Sequence, residues 1–132
     1  MKILVDTNIL VSFFLGSGIC TRVVHEVLAG EMRWLVTAEI EAEYRAVLSR
    51  GKLKLVEADV QEWFKEFDMA KEVLLSHVKV DFLRDPEDAK FLECAISADA
   101  DYLISGDRDF ESDQAFLPRT KIVTPKQFLA LM

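Results

Sequence analysis

The chain has 132 residues, of which 51% are hydrophobic, and a formal net charge of −7 at neutral pH. This length and apolar content predict one domain over residues 1–132 with a full core, and no Ser-, Gly- or Pro-rich linker divides the sequence. Asp6 and Asn8 interrupt the apolar amino terminus, which argues against a signal peptide, and no apolar run approaches membrane-spanning length. We therefore expect a cytoplasmic protein without a membrane segment.

The hydrophobic pattern along the chain predicts an α/β fold. Strands are expected at 2–5, 33–36, 101–105 and 121–123, with a short extended segment at 78–80. Helices are expected at 8–15, 18–29, 38–50, 57–75, 86–98 and 125–131. Because strands are separated by helices, the pattern predicts a parallel sheet covered on both faces, a three-layer α/β/α arrangement. The broad apolar face of helix 57–75 is typical of core packing, with a partner surface as the alternative.

Acidic residues follow two of the expected strands. Asp6 comes directly after the apolar run Ile3–Val5, and Asp107 and Asp109 lie in the loop that leaves Tyr102–Ser105. Open α/β sheets bind ligands outside the carboxyl ends of their strands. The carboxylates are therefore expected to converge at one edge of the sheet.

Two further acids are located by helical phase. Asp88 falls near the centre of the apolar stripe of helix 86–98, and Glu43 falls on the edge of the stripe of helix 38–50. A carboxylate on a buried stripe is costly to desolvate unless it is paired or binds a metal. No Lys or Arg is an obvious partner in the sequence, so the pattern favours a metal.

Each acid also has a simpler interpretation. Asp6, Asp85 and Asp88 each fit the start of a helix, where acids cap or compensate the helix dipole. Glu43 taken alone fits a solvated surface, and the two loop acids fit a polar turn. Only the joint pattern indicates a site.

Four segments, in order along almost the whole chain, carry a more specific pattern. They are Asp6–Leu10, the helical segment Glu43–Arg50, Asp85–Ala95 and Tyr102–Phe110. Together they resemble the PIN-domain family, in particular the single-domain toxin components of bacterial and archaeal toxin–antitoxin pairs. One such segment is a weak signal, whereas four in the family's order are a strong one.

The resemblance implies a fold, an activity and a set of site residues. The fold would be Rossmann-like, and the activity that of a Mg²⁺- or Mn²⁺-dependent ribonuclease, commonly dimeric and silenced by an antitoxin. The family's four acids would be Asp6, Glu43, Asp88 and Asp107, with Asp109 a frequent fifth. Asn8 and Ser105 match positions that support the acids.

The expected chemistry follows from hard oxygen ligands, which suit Mg²⁺ or Mn²⁺ and leave room for a phosphate oxygen and a water. One or two such cations would offset the repulsion between the carboxylates and assist cleavage of a phosphodiester. Asp6 is expected to be the central ligand because it lies on the most rigid element. Asp88 and Asp107 would complete the ligand set, and Glu43 would hold a second metal or orient water.

A net charge of −7 is unusual for a protein that binds nucleic acid. Without the five site acids the formal charge is −2, so bound metal would remove most of the conflict. This diffuse charge favours short single-stranded or looped RNA over duplex. The candidate phosphate contacts are basic, with Arg108 and Arg22 the first choices, followed by Arg50, Lys52 and Lys54.

Three other functions remain open from the residues. A haloacid-dehalogenase-type phosphatase acting on a small phosphorylated substrate also begins with a strand-end Asp, but it needs a second Asp where this chain has Asn8. A phospho-receiver domain needs an acidic pair on its first strand and a phosphorylatable Asp after a later one, whereas strand 33–36 is followed by Thr37. The third alternative is a non-catalytic binding module that keeps a nuclease fold.

Overall fold

The computed structural model describes residues 1–80, 86–106 and 108–132, with only the backbone described for residues 108–111. Its centre is a five-stranded sheet with the order β3-β2-β1-β4-β5, in which every neighbouring pair is parallel. The strands are β1 (Lys2–Val5), β2 (Arg33–Val36), β3 (Lys71–Val73), β4 (Tyr102–Ile104) and β5 (Lys121–Val123).

Helices flank this sheet on both faces, which confirms the three-layer α/β/α fold. They are α1 (Thr7–Phe14), α2 (Gly18–Ala29), α3 (Ala38–Leu48), α4 (Glu57–Ala70), α5 (Ala89–Ala98) and α6 (Pro125–Ala130). Short 3₁₀ segments cover Gly51–Leu53, Pro86–Asp88 and Arg108–Phe116. Side-chain oxygens of Ser17, Thr37 and Thr124 cap α2, α3 and α6, so local hydrogen bonds mark these starts.

The core lies on both sides of the central strands. Ile3, Leu4 and Val5 are fully buried, as expected for a parallel strand covered on both faces. On one side the apolar face of α4 packs its aromatic rings against β2. Trp63 and Phe67 stack with centroids 5.5 Å apart, and Phe67 meets Trp34 edge-on at 4.9 Å. The α4 face is therefore core over its described length.

The expected helix 57–75 is wrong in its last part. Helix α4 ends at Ala70, where the Lys71 backbone becomes extended, and Lys71–Val73 joins the sheet as edge strand β3. The backbone N–H of Leu74 then donates to the carbonyl of Val36 over 2.9 Å. The error arose because Val73 and Leu74 continue the helical spacing of Ala70, so periodicity could not distinguish the two states.

The short extended segment expected at 78–80 lies in a stretch without regular secondary structure. Residues 74–80 follow β3 without regular structure and are held by side chains of α5. The backbone N–H of Val80 donates to the Glu93 carboxylate at 3.1 Å, and the N–H of His77 donates to the Ser97 hydroxyl at 3.2 Å. The conformation of residues 74–80 therefore depends on contacts with α5 more than on pairing in the sheet.

The remaining differences lie at element ends. Helix α3 stops at Leu48 rather than residue 50, and α5 is preceded by a 3₁₀ turn over Pro86–Asp88. Within the described residues no single helix is long and apolar enough to cross a membrane. Helices α1 and α2 taken together reach that length and apolarity, but they are bent by 115° to each other.

Candidate functional site

The candidate site lies where the strand order changes direction. From β1 the chain proceeds to β2 on one side, whereas β4 lies on the other side of β1. Val5 and Ile104 are partners in the β1–β4 ladder, so Asp6 and Ser105 leave the sheet side by side. A parallel sheet opens a crevice at such a switch point, outside the carboxyl ends of its strands.

Asp6 is held in this crevice by β4. Its backbone N–H donates to the carbonyl of Ile104 over 2.9 Å, and the Ser105 hydroxyl donates to its Oδ2, also over 2.9 Å. Asp6 is only 5% exposed. It stands at the N-cap position of α1, but its side chain makes no capping hydrogen bond. The interpretation of its carboxylate as a helix cap is therefore wrong.

Glu43 on α3 is brought next to Asp6 through Thr7. The Thr7 hydroxyl donates to Oε2 of Glu43, and the ammonium of Lys90 donates to Oε1 over 2.7 Å. The expectation that the acids lack a basic partner is therefore wrong for Glu43. Its partner lies on another helix, 47 positions along the chain, where helical phase gives no signal.

Lys90 is anchored at the start of α5. Its ammonium also donates to the Glu87 carbonyl at 2.6 Å and lies 3.5 Å from the Glu87 carboxylate. Burial by itself would lower the pKa of Lys90, but the hydrogen bond and negative charge of Glu43, with the charge of Glu87, raise it above the ordinary value. Lys90 therefore remains a cation in the site at neutral pH.

Tyr44 links α3, the helix that carries Glu43, to the end of β1, the strand that precedes Asp6. It is fully buried, and its hydroxyl donates to the carbonyl of Val5. Burial raises the pKa of the phenol far above its ordinary value, and the charges of Asp6 and Glu43 act in the same direction. Tyr44 is therefore a neutral hydrogen-bond donor that fixes α3 on the end of β1.

Asp88 borders this group from α5. It is half-buried at the N-cap position of α5, again without a side-chain capping hydrogen bond, and it lies two positions before Lys90. Helix α5 packs on α3, the helix that carries Glu43. In the part of the chain that the structure describes, however, no three carboxylate, imidazole or thiol groups converge into a metal-binding cluster.

The loop that carries the other expected acids is described only in part. Asp107, like Asp85, lies outside the described residues, and for Arg108 and Asp109 the structure gives only a 3₁₀ backbone. Asn8 is exposed on the first turn of α1. Together with Gly106 it lines a cavity of about 320 Å³ beside the strand ends.

The basic residues proposed for phosphate binding are spread over the surface. Arg22 is exposed on α2. Arg50, Lys52 and Lys54 surround the 3₁₀ turn after α3, which lies about two helical turns beyond Glu43. Arg50 and Lys54 line a separate cavity of about 330 Å³ there. The structure therefore does not gather these residues with the acids.

The donor chemistry of the site fits a hard divalent cation. Asp6 offers a buried carboxylate that Ser105 orients, and Asp88 offers a half-buried carboxylate at the start of α5. Glu43 fits less well because the protein already contacts both of its oxygens. Asp6 and Asp88 could therefore hold such an ion, with Glu43 at its margin.

Sequence reasoning missed three residues of the site. Thr7 and Tyr44 directly follow Asp6 and Glu43, so proximity in sequence could have indicated them. Lys90 offered no such signal, because a residue two positions after Asp88 in a helix points to a different side.

Comparisons with known proteins agree with this architecture. No curated protein matches the chain. The fold is similar to that of a chain in the crystal structure of VapBC2 from Rickettsia felis bound to a DNA fragment from their promoter. The TM-score is 0.62 at 16% identity, covering 92% of this chain and 98% of that one. This likeness concerns the fold alone. A family model described as the PIN domain matches residues 2–109, from β1 through the loop after β4. The chain therefore belongs to the PIN-domain family.

Proposed function

We propose that this protein is a divalent-metal-dependent endoribonuclease that cleaves single-stranded or looped RNA, and that it is the toxin of a toxin–antitoxin pair. PIN domains are generally nucleases, and residues 2–109 match that family. The observation that carries the proposal is the buried carboxylate of Asp6, held by Ser105 at the switch point of the sheet. A cytoplasmic location follows from this role.

In this proposal Asp6, Asp88 and Asp107 hold Mg²⁺ or Mn²⁺, with Asp109 as a further ligand and Glu43 at the edge of the site. When bound, the cation would supply Lewis acidity at a phosphate oxygen and make a water molecule more acidic. Ser105 fixes the rotation of the Asp6 carboxylate through its hydrogen bond to Oδ2. Two of the four family acids, Asp6 and Glu43, are already connected through Thr7.

The substrate would enter from the side of Asn8. Asn8 is exposed beside Gly106 at a cavity of about 320 Å³, and its amide can donate to a phosphate or base oxygen. Arg108 and Arg22 are the proposed phosphate contacts. A single strand suits this small opening, because its phosphate can approach the acids without a wide groove.

The proposed partners are an antitoxin and a second copy of the chain. The similar Rickettsia felis structure is of VapBC2 bound to promoter DNA, which supports a toxin–antitoxin role here. A basic segment of an antitoxin would complement the acids of the crevice in a chain of net charge −7. Light scattering that gives only the monomer mass at micromolar concentrations would contradict the dimer.

The deciding experiment is RNA cleavage by the purified protein with Mn²⁺, with Mg²⁺ and with excess chelator. Wild type should cleave only with metal, and Asp6→Asn should lose activity by about a hundredfold or more. Asp59→Asn makes the same chemical change at an exposed position of α4 and should cleave like wild type. Undiminished cleavage by Asp6→Asn in chelator would contradict the proposal. Phosphate release from a small ester without RNA cleavage would indicate a phosphatase.

A further inference from the structure

Both oxygens of the Glu43 carboxylate are bound by the protein itself. Thr7 donates to Oε2, and Lys90 donates to Oε1 over 2.7 Å. The pair is largely covered, with 13% of the Lys90 side chain and 22% of the Glu43 side chain exposed. Glu43 is therefore neutralised within the site without any added cation.

The position of Lys90 is fixed from its own side as well. The Glu87 carbonyl accepts from the same ammonium at 2.6 Å. The ammonium is therefore surrounded by three oxygen-bearing groups, which are the carboxylates of Glu43 and Glu87 and the Glu87 carbonyl. An ammonium placed in this way occupies the space that a metal ion would need in order to use Oε1. It also repels any divalent cation that approaches Glu43, and partial burial weakens the screening of that repulsion.

We propose that Lys90 is a positioning residue that takes the place of a second metal ion at Glu43, so that each chain holds a single divalent cation through its remaining acids. This inference rests on the proposed metal-dependent function. It also explains why Glu43, one of the four acids implied by the family, can lie half-buried beside Lys90.

The consequence for the reaction is a division of roles. The metal would be bound on the side of Asp6, whereas Glu43 would shape the crevice through its contacts with Thr7 and Lys90. The ammonium contributes a fixed positive charge near the phosphodiester that does not depend on the concentration of metal.

The experiment measures Mn²⁺ binding to the full chain by calorimetry and by electron paramagnetic resonance. Wild type should bind one ion. Lys90→Met removes the charge but keeps an unbranched side chain that is one atom shorter, and it should gain a second ion or bind Mn²⁺ at least about tenfold more tightly. Lys90→Arg keeps the charge and should bind one ion. Lys79→Met is the matched control, because Lys79 is exposed and lines the same 150 Å³ cavity as Lys90.

A second variant keeps the test valid if Lys90→Met does not fold, which circular dichroism would reveal. Glu43→Gln should bind one Mn²⁺ with an affinity within about threefold of wild type, because Glu43 is not a ligand in this arrangement. Three results would each overturn the inference alone. They are two Mn²⁺ ions bound by wild type, Mn²⁺ binding by Lys90→Met that equals that of wild type, and a tenfold loss of Mn²⁺ affinity in Glu43→Gln. No Mn²⁺ binding by any variant or by wild type would overturn both the inference and the proposed metal-dependent function.

Discussion

Ser105 donates its hydroxyl hydrogen to Oδ2 of Asp6 over 2.9 Å, although the two residues are 99 positions apart in the chain. Both are almost fully buried. The Ser105 backbone is itself fixed, because its N–H donates to the carbonyl of Val123 on β5. The orientation of the Asp6 carboxylate is therefore determined by three neighbouring strands.

Removing that hydroxyl should disorder the carboxylate without unfolding the protein. Ser105→Ala is expected to lower RNA cleavage by about 10- to 100-fold, the usual effect of losing a partner of a metal-binding carboxylate. It should lower the free energy of unfolding by about 1 kcal/mol. Ser49→Ala removes an exposed hydroxyl that donates to the Arg45 carbonyl, and it should leave cleavage unchanged. Equal activity of both variants would show that Ser105 has no role in the site.

Tyr44→Phe should destabilise the fold more than an ordinary loss of a hydroxyl. The substitution removes the donor to the Val5 carbonyl at a fully buried position. The expected loss is about 1–2 kcal/mol in the free energy of unfolding, measured by urea denaturation. Tyr102→Phe, at a half-buried tyrosine of β4, should cost less than about 0.5 kcal/mol. Comparable losses for the two variants would argue that the Tyr44 hydroxyl is not a specific anchor.

Asp88→Asn distinguishes a metal ligand from a residue that only starts a helix. If Asp88 shares a charged crevice with Asp6, the variant should melt at a higher temperature without metal, because like charges repel. Wild type should gain about 2.7 kcal/mol from Mn²⁺ at a hundredfold excess over its Kd, and the variant should gain less. The helix-start alternative predicts a less stable variant in chelator, by several tenths of a kcal/mol, with the same gain from Mn²⁺.

An ion-pair network joins the end of α4 to α3 and gives the protein a defined response to acid. Lys71 lies 3.0 Å from Asp68 and also binds Glu41, while Arg45 lies 2.8 Å from Asp68. The hydrogen bond from Lys71 lowers the pKa of Asp68 below its ordinary value of 3.8, against the opposing effect of desolvation, and the charges of Lys71 and Arg45 add to the decrease.

Because its pKa is lower in the folded state, Asp68 stabilises the protein above pH 3.8, and this contribution is lost as the pH falls through the folded pKa. Asp68→Asn should therefore show a shallower fall of melting temperature below pH 4 than wild type. The effect will be small because nearly half of the Asp68 side chain is exposed.

The sequence allowed the layers of this fold and the location of Asp6 to be predicted, because buried strands and helical stripes leave periodic signals. Strand β3 left none, since Val73 continues the apolar spacing of α4, and the segment becomes a strand only by pairing with β2. The ion pair between Lys90 and Glu43 could not be predicted from the sequence for a similar reason. It depends on how two helices pack, and no spacing within either helix encodes that contact.

The central place of β1 in the sheet has a consequence for synthesis on the ribosome. Strand β1 emerges first, and β2 can pair with it on one side, but its other neighbour, β4, begins only at Tyr102. Until then the nascent chain carries an unpaired, fully apolar edge at Ile3–Val5, a template for association with other chains. The Ser105 contact to Asp6 is also missing throughout that period. A chain released before residue 105 would therefore be prone to aggregation and would lack the hydroxyl that orients Asp6.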